Sequence, residues 1–326
     1  MLITRTPLRI SIGGGGTDLP SFYRNDGGYV LSAAIDKYIY IALNKTFSDD
    51  YFLKYSEIER VKFIDDIKHP ILRETFRCHD LGRHIELVSI ADVPSGTGLG
   101  SSGAFTVGVL KAIYAMKREH VTAAALAEEA CRVEIDVLKN SVGKQDQYIA
   151  AFGGLTEFTF REDESVEVAP LAIAGNTLHE LEQHLLLFFT GQHREASSIL
   201  LDQVTRTSDN DAEMISNLRE TKALGYEIRN SLMTGDLNGY GELLNRHWMI
   251  KRQRSPEMTN SQIDNWYEIA RKNGALGGKL VGAGGGGFLL FLVEEPLRLR
   301  TSMLNEGLEE LRFAFDLDGS TVLTRG

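Results

Sequence analysis

Apolar residues recur along the chain at two periods. Residues 2–6 and 10–12 alternate as strands do, and 29–43 is a β-branched and aromatic run that reads as one or two strands broken near Asp36 and Lys37. Residues 51–55, 61–64 and 85–90 are strand-like, and a helix is predicted over 70–78. Residues 104–117 are apolar and free of proline, which predicts a helix lying on a sheet, and Thr122 caps a second helix reaching about Leu138. A polar knot at 140–147 precedes an apolar stretch at 148–152, a glycine pair and a strand at 155–160. Residues 168–171 form a strand edge, and 173–175 read as a domain boundary, giving domains 1–172 and 173–326. Beyond it, a buried strand at 184–190 is followed by helices at 194–204, 211–232, 237–251 (opened by Asp236) and 261–273 (closed by Gly274). A strand at 289–293, a helix at 301–311 and a strand at 319–324 complete an α+β half.

Three glycine-rich stretches interrupt this pattern. The central one, Pro94-Ser-Gly-Thr-Gly-Leu-Gly-Ser-Ser-Gly103, lies between a strand and a helix start. Glycines at 96, 98, 100 and 103 let backbone N–H groups converge on an anion, and the helix N-terminus adds its positive dipole end. Ser101 and Ser102 can cap the helix, donate to phosphate oxygens or place a hydroxyl on a metal ion. The Walker pattern is absent, and no acidic residue on a following strand supports a dinucleotide fingerprint. The other stretches are Gly13 to Gly16 with Thr17 and Asp18, and Gly277 to Phe288.

Composition narrows the class. The 326 residues are 43% hydrophobic and 25% charged, which is globular, and the net charge of −10 argues against nucleic acid or an anionic membrane surface as a partner. No apolar run approaches a membrane span, and Cys78 and Cys131 stand in no metal or redox spacing, so a reducing, cytoplasmic setting is expected. His69, His79 and His84 read as surface or capping side chains. Taken alone, Glu134 is an exposed helix carboxylate, Asp146 a loop or cap aspartate, and Asp18 the cap of a short segment at 19–24 or a partner for sugar hydroxyls.

Pro7-x-Arg9 with Gly13 to Asp18, the motif from Pro94 to Gly103, and Lys279-x-x-Gly282 with Ala283 to Phe288 stand in an order that resembles the GHMP kinase family. Residues 143–147, Gly-Lys-Gln-Asp-Gln, are similar to the segment bearing the catalytic aspartate in that family's anomeric sugar kinases. The family's usual alanine after the Ser-Ser pair is here Gly103, which would leave the loop slightly more flexible. The resemblance implies a two-domain fold. An N-terminal domain like ribosomal protein S5 domain 2 meets a ferredoxin-like C-terminal domain, with the active site between them.

It also implies site roles. ATP phosphates would rest on Pro94, Gly96, Gly98, Leu99, Gly100, Ser101 and Ser102; Ser102 and Glu134 would hold Mg2+. Asp146 would be the general base, Arg9 would lie beside it and counter its charge, and Lys144 would do the same or neutralise the transferring group. Gly14, Gly15, Gly16, Thr17 and Asp18 would hold sugar hydroxyls, and Gly284, Gly285 and Gly286 would close the cleft. A phosphate on the sugar would need cations, for which Arg24, Arg194, Lys251 and Arg252 are candidates. A non-catalytic binding protein on this scaffold would be expected to lack the base or the metal ligand, and all are present. The expected partners are ATP and a small-molecule sugar phosphate; a homodimer is compatible with the sequence.

Overall fold

One long strand organises the first half of the molecule. The computed structural model describes residues 1–192 and 197–325. Its elements are β1 (Leu2–Gly13), α1 (Pro20–Asp26), β2 (Gly28–Lys45), β3 (Tyr51–Lys54), β4 (Ile58–Val61), α2 (Pro70–His79), β5 (Ile85–Ala91), α3 (Ser101–Lys117), α4 (Ala123–Cys131), α5 (Gln145–Phe152), β6 (Leu155–Phe160) and β7 (Val166–Pro170). There follow α6 (Gly175–His184), β8 (Leu185–Phe189), α7 (Ser197–Ser208), α8 (Ala212–Thr234), α9 (Leu237–Lys251), α10 (Ser261–Lys272), β9 (Ala275–Leu280), β10 (Phe288–Val293), α11 (Pro296–Asn305), β11 (Glu309–Glu310) and β12 (Thr321–Arg325).

The expected break near Asp36 is a bulge within the continuous β2. Pro7 of β1 faces Tyr38 and Leu8 faces Ile35, so Asp36 and Lys37 have no counterpart. The bulge also divides β2 between partners: Gly28 to Ala33 pair with β6, Ile39 to Lys45 with β5. The resulting sheet runs β12-β1-β2-β5-β3-β4, with β6 and β7 branching from β2. The last strand therefore returns to the first sheet, Leu2 opposite Arg325.

Helix α3 is apolar all round because it lies inside the domain, touching β1 and β2 on one side and α4 and α5 on the other. Val107, Leu110 and Ile113 are fully buried there, each contributing about 1.5–3 kcal/mol by leaving water. This anchoring fixes the end of α3 that carries the glycine loop.

The second sheet runs β11-β8-β10-β9. Its Phe188, Leu289 and Phe291 bury against Trp248, Ile263, Tyr267 and Leu299 from the helices. Asp211 and Asp236 cap α8 and α9, accepting backbone N–H bonds from Met214 and Gly239. Two expectations are corrected here, and two features were not foreseen. Residues 275–280, read as part of a glycine cluster, are strand β9, because Gly277 and Gly278 admit the backbone of α9 and the Phe291 ring. The helix expected at 301–311 starts earlier, at Pro296, whose fixed φ suits a first helical turn, and is followed by β11. Helix α6 was not anticipated. The helix from Thr122 becomes a π-helical turn at Arg132–Val137.

Candidate active site

The loop before α3 presents backbone, not side chains, to the surface. Gly96, Gly98 and Gly100 have φ of 74°, 83° and 78°, values that alternate the direction of successive N–H groups and that only glycine adopts freely. Gly100 is the N-cap of α3 and no side chain caps the helix, so neither Ser101 nor Ser102 fills that role and the first N–H groups stay open to a ligand. Leu99 is the exception among the expected contacts. Its side chain is buried in the core and its carbonyl accepts a 3.0 Å bond from the Arg9 backbone, so it anchors the loop and does not face a nucleotide.

Arg9, on β1, ties this loop to Asp146 in the first turn of α5. Its Nη1 donates to the Gly98 carbonyl at 2.5 Å, while Nε and Nη2 both reach Asp146 Oδ1 at 2.7 Å. Among the described residues Asp146 Oδ2 has no partner, and its side chain is 29% exposed. The pair thus holds one carboxylate oxygen and leaves the other to accept a proton. Gly103 permits this placement. Its missing Cβ is where α5 crosses α3, so its role is close approach; it sits within a helix, and the expected gain in loop flexibility is corrected.

Glu134 is brought inward by the π-helical turn, in which Leu138 N bonds Val133 O five residues back at 3.0 Å. It is fully buried, correcting its reading as an exposed helix residue. Ser102 Oγ donates to one of its oxygens, and Gln147 Nε2 to the other at 2.9 Å. Burial pushes its pKa up, against the pull of these donors. Ser101 Oγ is buried without a partner. Hard oxygen donors around one sequestered carboxylate fit Mg2+, which binds through few protein ligands together with substrate phosphates. No cluster of three or more His, Cys, Asp or Glu side chains exists among the described residues.

Asp18 does not cap α1. Its carboxylate accepts from Gly16 N and Gln145 N, each at 3.1 Å, and so locks the first glycine stretch to the start of α5. Burial, then the charge of Asp146, raises its pKa. Gly15 and Gly16 line the cleft beside it. Gly14 and Thr17 do not. Thr17 Oγ1 is spent on Gly14 O and Tyr29 O, both at 2.9 Å, and Gly14 lies against the Tyr29 carbonyl, so both are structural. Gly284, Gly285 and Gly286 are likewise buried against Met258 and Gln192 rather than in the cleft; Gly282 and Ala283 line it instead. A Cβ on Gly98 would stand 2.6 Å from the Val281 carbonyl, which shows how directly the β9–β10 turn backs the glycine loop.

Lys144 is corrected most clearly. Its ammonium lies 3.3 Å from both Glu128 oxygens and 3.0 Å from the Glu164 carbonyl, in a separate hollow away from Asp146. Arg24 pairs with Glu164 in that region, and Arg252 with Asp264, so neither enters the cleft. Arg194 lies outside the described residues. His79 is not a surface residue either, since its Nε2 is 2.9 Å from Glu129 and its side chain is largely covered.

Of the cations expected for a sugar phosphate, Lys251 does line the cleft, and the sequence reading missed the rest of that far wall. Lys251 and His247 of α9, Arg254 just beyond it, and Lys279 of β9 line the same cleft as Asp18 and Asp146. His247 lies four residues before Lys251, on the apolar face carrying Leu244 and Trp248, and a helical wheel would have flagged it. Lys279 stands in an otherwise apolar strand, itself a signal.

Comparisons with known proteins give the family. The GHMP kinases N terminal domain family matches residues 67–154, and the GHMP kinases C terminal family residues 214–306. The chain is 32% identical over 303 residues to D-glycero-alpha-D-manno-heptose 7-phosphate kinase of Campylobacter jejuni, covering 89% of each. The chain belongs to the GHMP kinase family. It is a sugar kinase with that family's two-domain α/β fold, a phosphotransferase with an alcohol acceptor. It is also 27% identical to the bifunctional fucokinase/GDP-fucose pyrophosphorylase of Arabidopsis thaliana, over 93% of this chain and 31% of that longer protein. A D-glycero-D-manno-heptose 1-phosphate kinase structure from Bacteroides thetaiotaomicron superposes over the full length of both chains with a TM-score of 0.81 at 24% identity, a likeness of fold. No helix among the described residues is long and apolar enough to cross a membrane.

Proposed function

We propose that this kinase transfers the γ-phosphoryl group of ATP to the anomeric hydroxyl of D-glycero-D-manno-heptose 7-phosphate, giving the 1,7-bisphosphate, a precursor for nucleotide-activated heptose. The observation that carries the reading is the Arg9–Asp146 pair, set between the glycine loop and the polar cleft. The 32% identity to the Campylobacter jejuni enzyme supports this acceptor.

The glycine loop and the start of α3 would hold the phosphates through backbone N–H groups. Ser102 and Glu134 would hold Mg2+, which supplies neutralisation of charge on the phosphate oxygens. Asp146 Oδ2 would take the proton from the anomeric hydroxyl as that oxygen bonds to the γ-phosphorus and the bond to ADP breaks. Such transfer is mainly positioning and charge stabilisation, so a carboxylate base is adequate. Asp18, with Gly15 and Gly16, would face the sugar hydroxyls. Arg9 bonds both Asp146 and the Gly98 carbonyl, and so would set the distance of the base from the phosphates.

The similarity to the plant fucokinase keeps a second acceptor in view, an unphosphorylated sugar. The test is ATP consumption with Mg2+ over D-glycero-D-manno-heptose 7-phosphate, sedoheptulose 7-phosphate, mannose 6-phosphate, L-fucose and galactose, with phosphorus NMR of the product. Phosphates at both C1 and C7 support the proposal. Turnover confined to fucose or galactose overturns the acceptor and keeps the chemistry.

A further inference from the structure

The cleft wall formed by α9, its C-terminal extension and β9 is unlike the rest of a chain with net charge −10. Among the described lining residues four are cations, Arg9, Lys251, Arg254 and Lys279, against two carboxylates, Asp18 and Asp146. Arg9 is committed to Asp146. The others are buried. Lys279 is only 2% exposed, yet among the described residues its ammonium has no hydrogen-bond or ion-pair partner. Lys251 donates to two backbone carbonyls, Leu280 at 2.9 Å and Gly282 at 2.5 Å, neither of which carries a full charge. Arg254 is held rigidly by Asn217 Oδ1 at 2.8 Å, Gly15 O at 3.0 Å and Thr221 Oγ1 at 2.6 Å, and keeps two N–H donors over.

Like charges gathered out of water and short of counter-charge are costly without an anion to answer them. Burial, with Arg254 and Arg9 nearby, pushes the Lys279 pKa down to about 7; burial brings that of Arg254 to about 10. His247 sits within the cluster with both ring nitrogens buried and unpartnered. Counted at formal charge, the lining carries an excess of two positive charges, which matches a phosphate dianion when Lys279 is protonated against it. The residues expected to hold the nucleotide phosphates, Gly96, Ser101 and Ser102, lie outside this lining, whereas Gly15, Gly16 and Asp18 of the acceptor side lie within it.

We infer that Lys279, Lys251 and Arg254 form the subsite for a phosphate monoester carried by the acceptor sugar, with Lys279 as its principal direct cation. This deepens the proposed function and rests on it. Arg254 joins the subsite to Gly15 of the first glycine stretch, and Lys251 joins it to the β9–β10 turn that backs the glycine loop. A bound phosphomonoester would thereby span the two walls of the cleft and bring the other end of the sugar toward Asp146. An acceptor without the phosphate would forgo this attraction, which would favour the phosphorylated sugar over its unphosphorylated form.

The experiment compares wild type with Lys279→Met, a change that removes a buried charge from among like charges and should leave the fold intact. KM and kcat are measured for D-glycero-D-manno-heptose 7-phosphate, for the same heptose without phosphate, and for ATP. In parallel, the thermal midpoint of each protein is measured with increasing inorganic phosphate and no nucleotide. The expected result is a KM for the phosphorylated heptose raised about 30-fold or more in the variant, with the ATP KM and the activity on unphosphorylated heptose within about threefold. Stabilisation by inorganic phosphate should be present in wild type and lost in the variant. An unchanged KM, a rise in the ATP KM, or an equal loss on both sugars would overturn the inference and assign the cations to the transferred group. If neither heptose is turned over, the proposed acceptor fails, and the phosphate titration alone decides: a Lys279-dependent shift sustains an anion subsite, and its absence removes it.

Discussion

A Cβ added to Gly103 would stand 2.7 Å from Cβ of Asp146 and 2.9 Å from both its carbonyl carbon and the amide nitrogen of Gln147. The two helices meet backbone against backbone at the residue proposed as the base. Gly103→Ala, which restores the usual family residue, should therefore push α5 away. We expect turnover to fall about 10- to 100-fold and stability by about 1–3 kcal/mol, the usual effect of overpacking. Steady-state kinetics with a thermal melt check this; unaltered turnover would mean that α5 has slack at this crossing.

Asp146→Asn should preserve nucleotide binding and lose about 10²- to 10⁴-fold in turnover, the usual worth of a positioned general base. Arg9→Met acts partly through the same carboxylate, so the double variant should lose much less than the two single effects combined. Nucleotide titration and a double-mutant cycle on kcat test both statements. Additive losses would separate Arg9 from Asp146 functionally.

Glu134→Gln exchanges a buried carboxylate for a neutral amide of the same shape. The protein should melt no lower, since burial already disfavours the charged form. Its nucleotide affinity should cease to depend on Mg2+, read by titrating a fluorescent nucleotide with and without the ion. Retained Mg2+ dependence would remove Glu134 from the proposed ligand set.

Lys144→Gln should leave turnover within about threefold, because its ammonium serves Glu128 and Glu164 in another hollow. The loss should appear as stability, about 0.5–1.5 kcal/mol for hydrogen bonds of this kind. A collapse of kcat without a change in melting would restore Lys144 to the chemistry.

The ligand-free protein should gain stability as pH rises from about 7 toward 10. Lys279 has a folded pKa near 7, below its ordinary 10.5, so over that window the unfolded chain binds the extra proton and folding gains with pH. Arg9, Lys251 and Arg254 face it, and Lys251 is displaced the same way by burial and by its cationic neighbours. Burial and the charge of Asp146 raise the Asp18 carboxyl, which works in the opposite direction as pH rises. Denaturant unfolding at pH 7, 8 and 9 should show the slope, reduced in Lys279→Met. Identical slopes would place the titration elsewhere.

Elements whose ends carry their own chemistry were legible in the sequence. Asp236 opens α9 and Asp211 opens α8, because a capping carboxylate is a local signal. The order of the three glycine stretches identified the family, and Arg9, Asp146, Ser102 and Glu134 were named from it. What escaped depends on which way a side chain leaves its backbone. Lys144 and Asp146 are two residues apart yet line different hollows. Gly284 to Gly286 look like ligand-facing glycines and instead admit Met258 and Gln192. Lys279 and Arg254 become neighbours of Asp18 only once the β9–β10 turn is set against the loop at Gly98, a meeting of distant segments that local periodicity does not encode.

The pairing of β12 with β1 has a consequence for the birth of the molecule. β1 carries Arg9 and contacts the helix behind the glycine loop, and while Leu99 meets its outer edge at Arg9, that edge is covered from Leu2 to Arg5 by residues 321–325. At about 5–20 residues per second, that cover is made on the order of a quarter of a minute to a minute after β1 leaves the ribosome. Over this interval the outer edge of β1 offers unpaired N–H and C=O groups to any passing strand. The first sheet is begun first and finished last, so the exposure of that edge belongs to the period of synthesis.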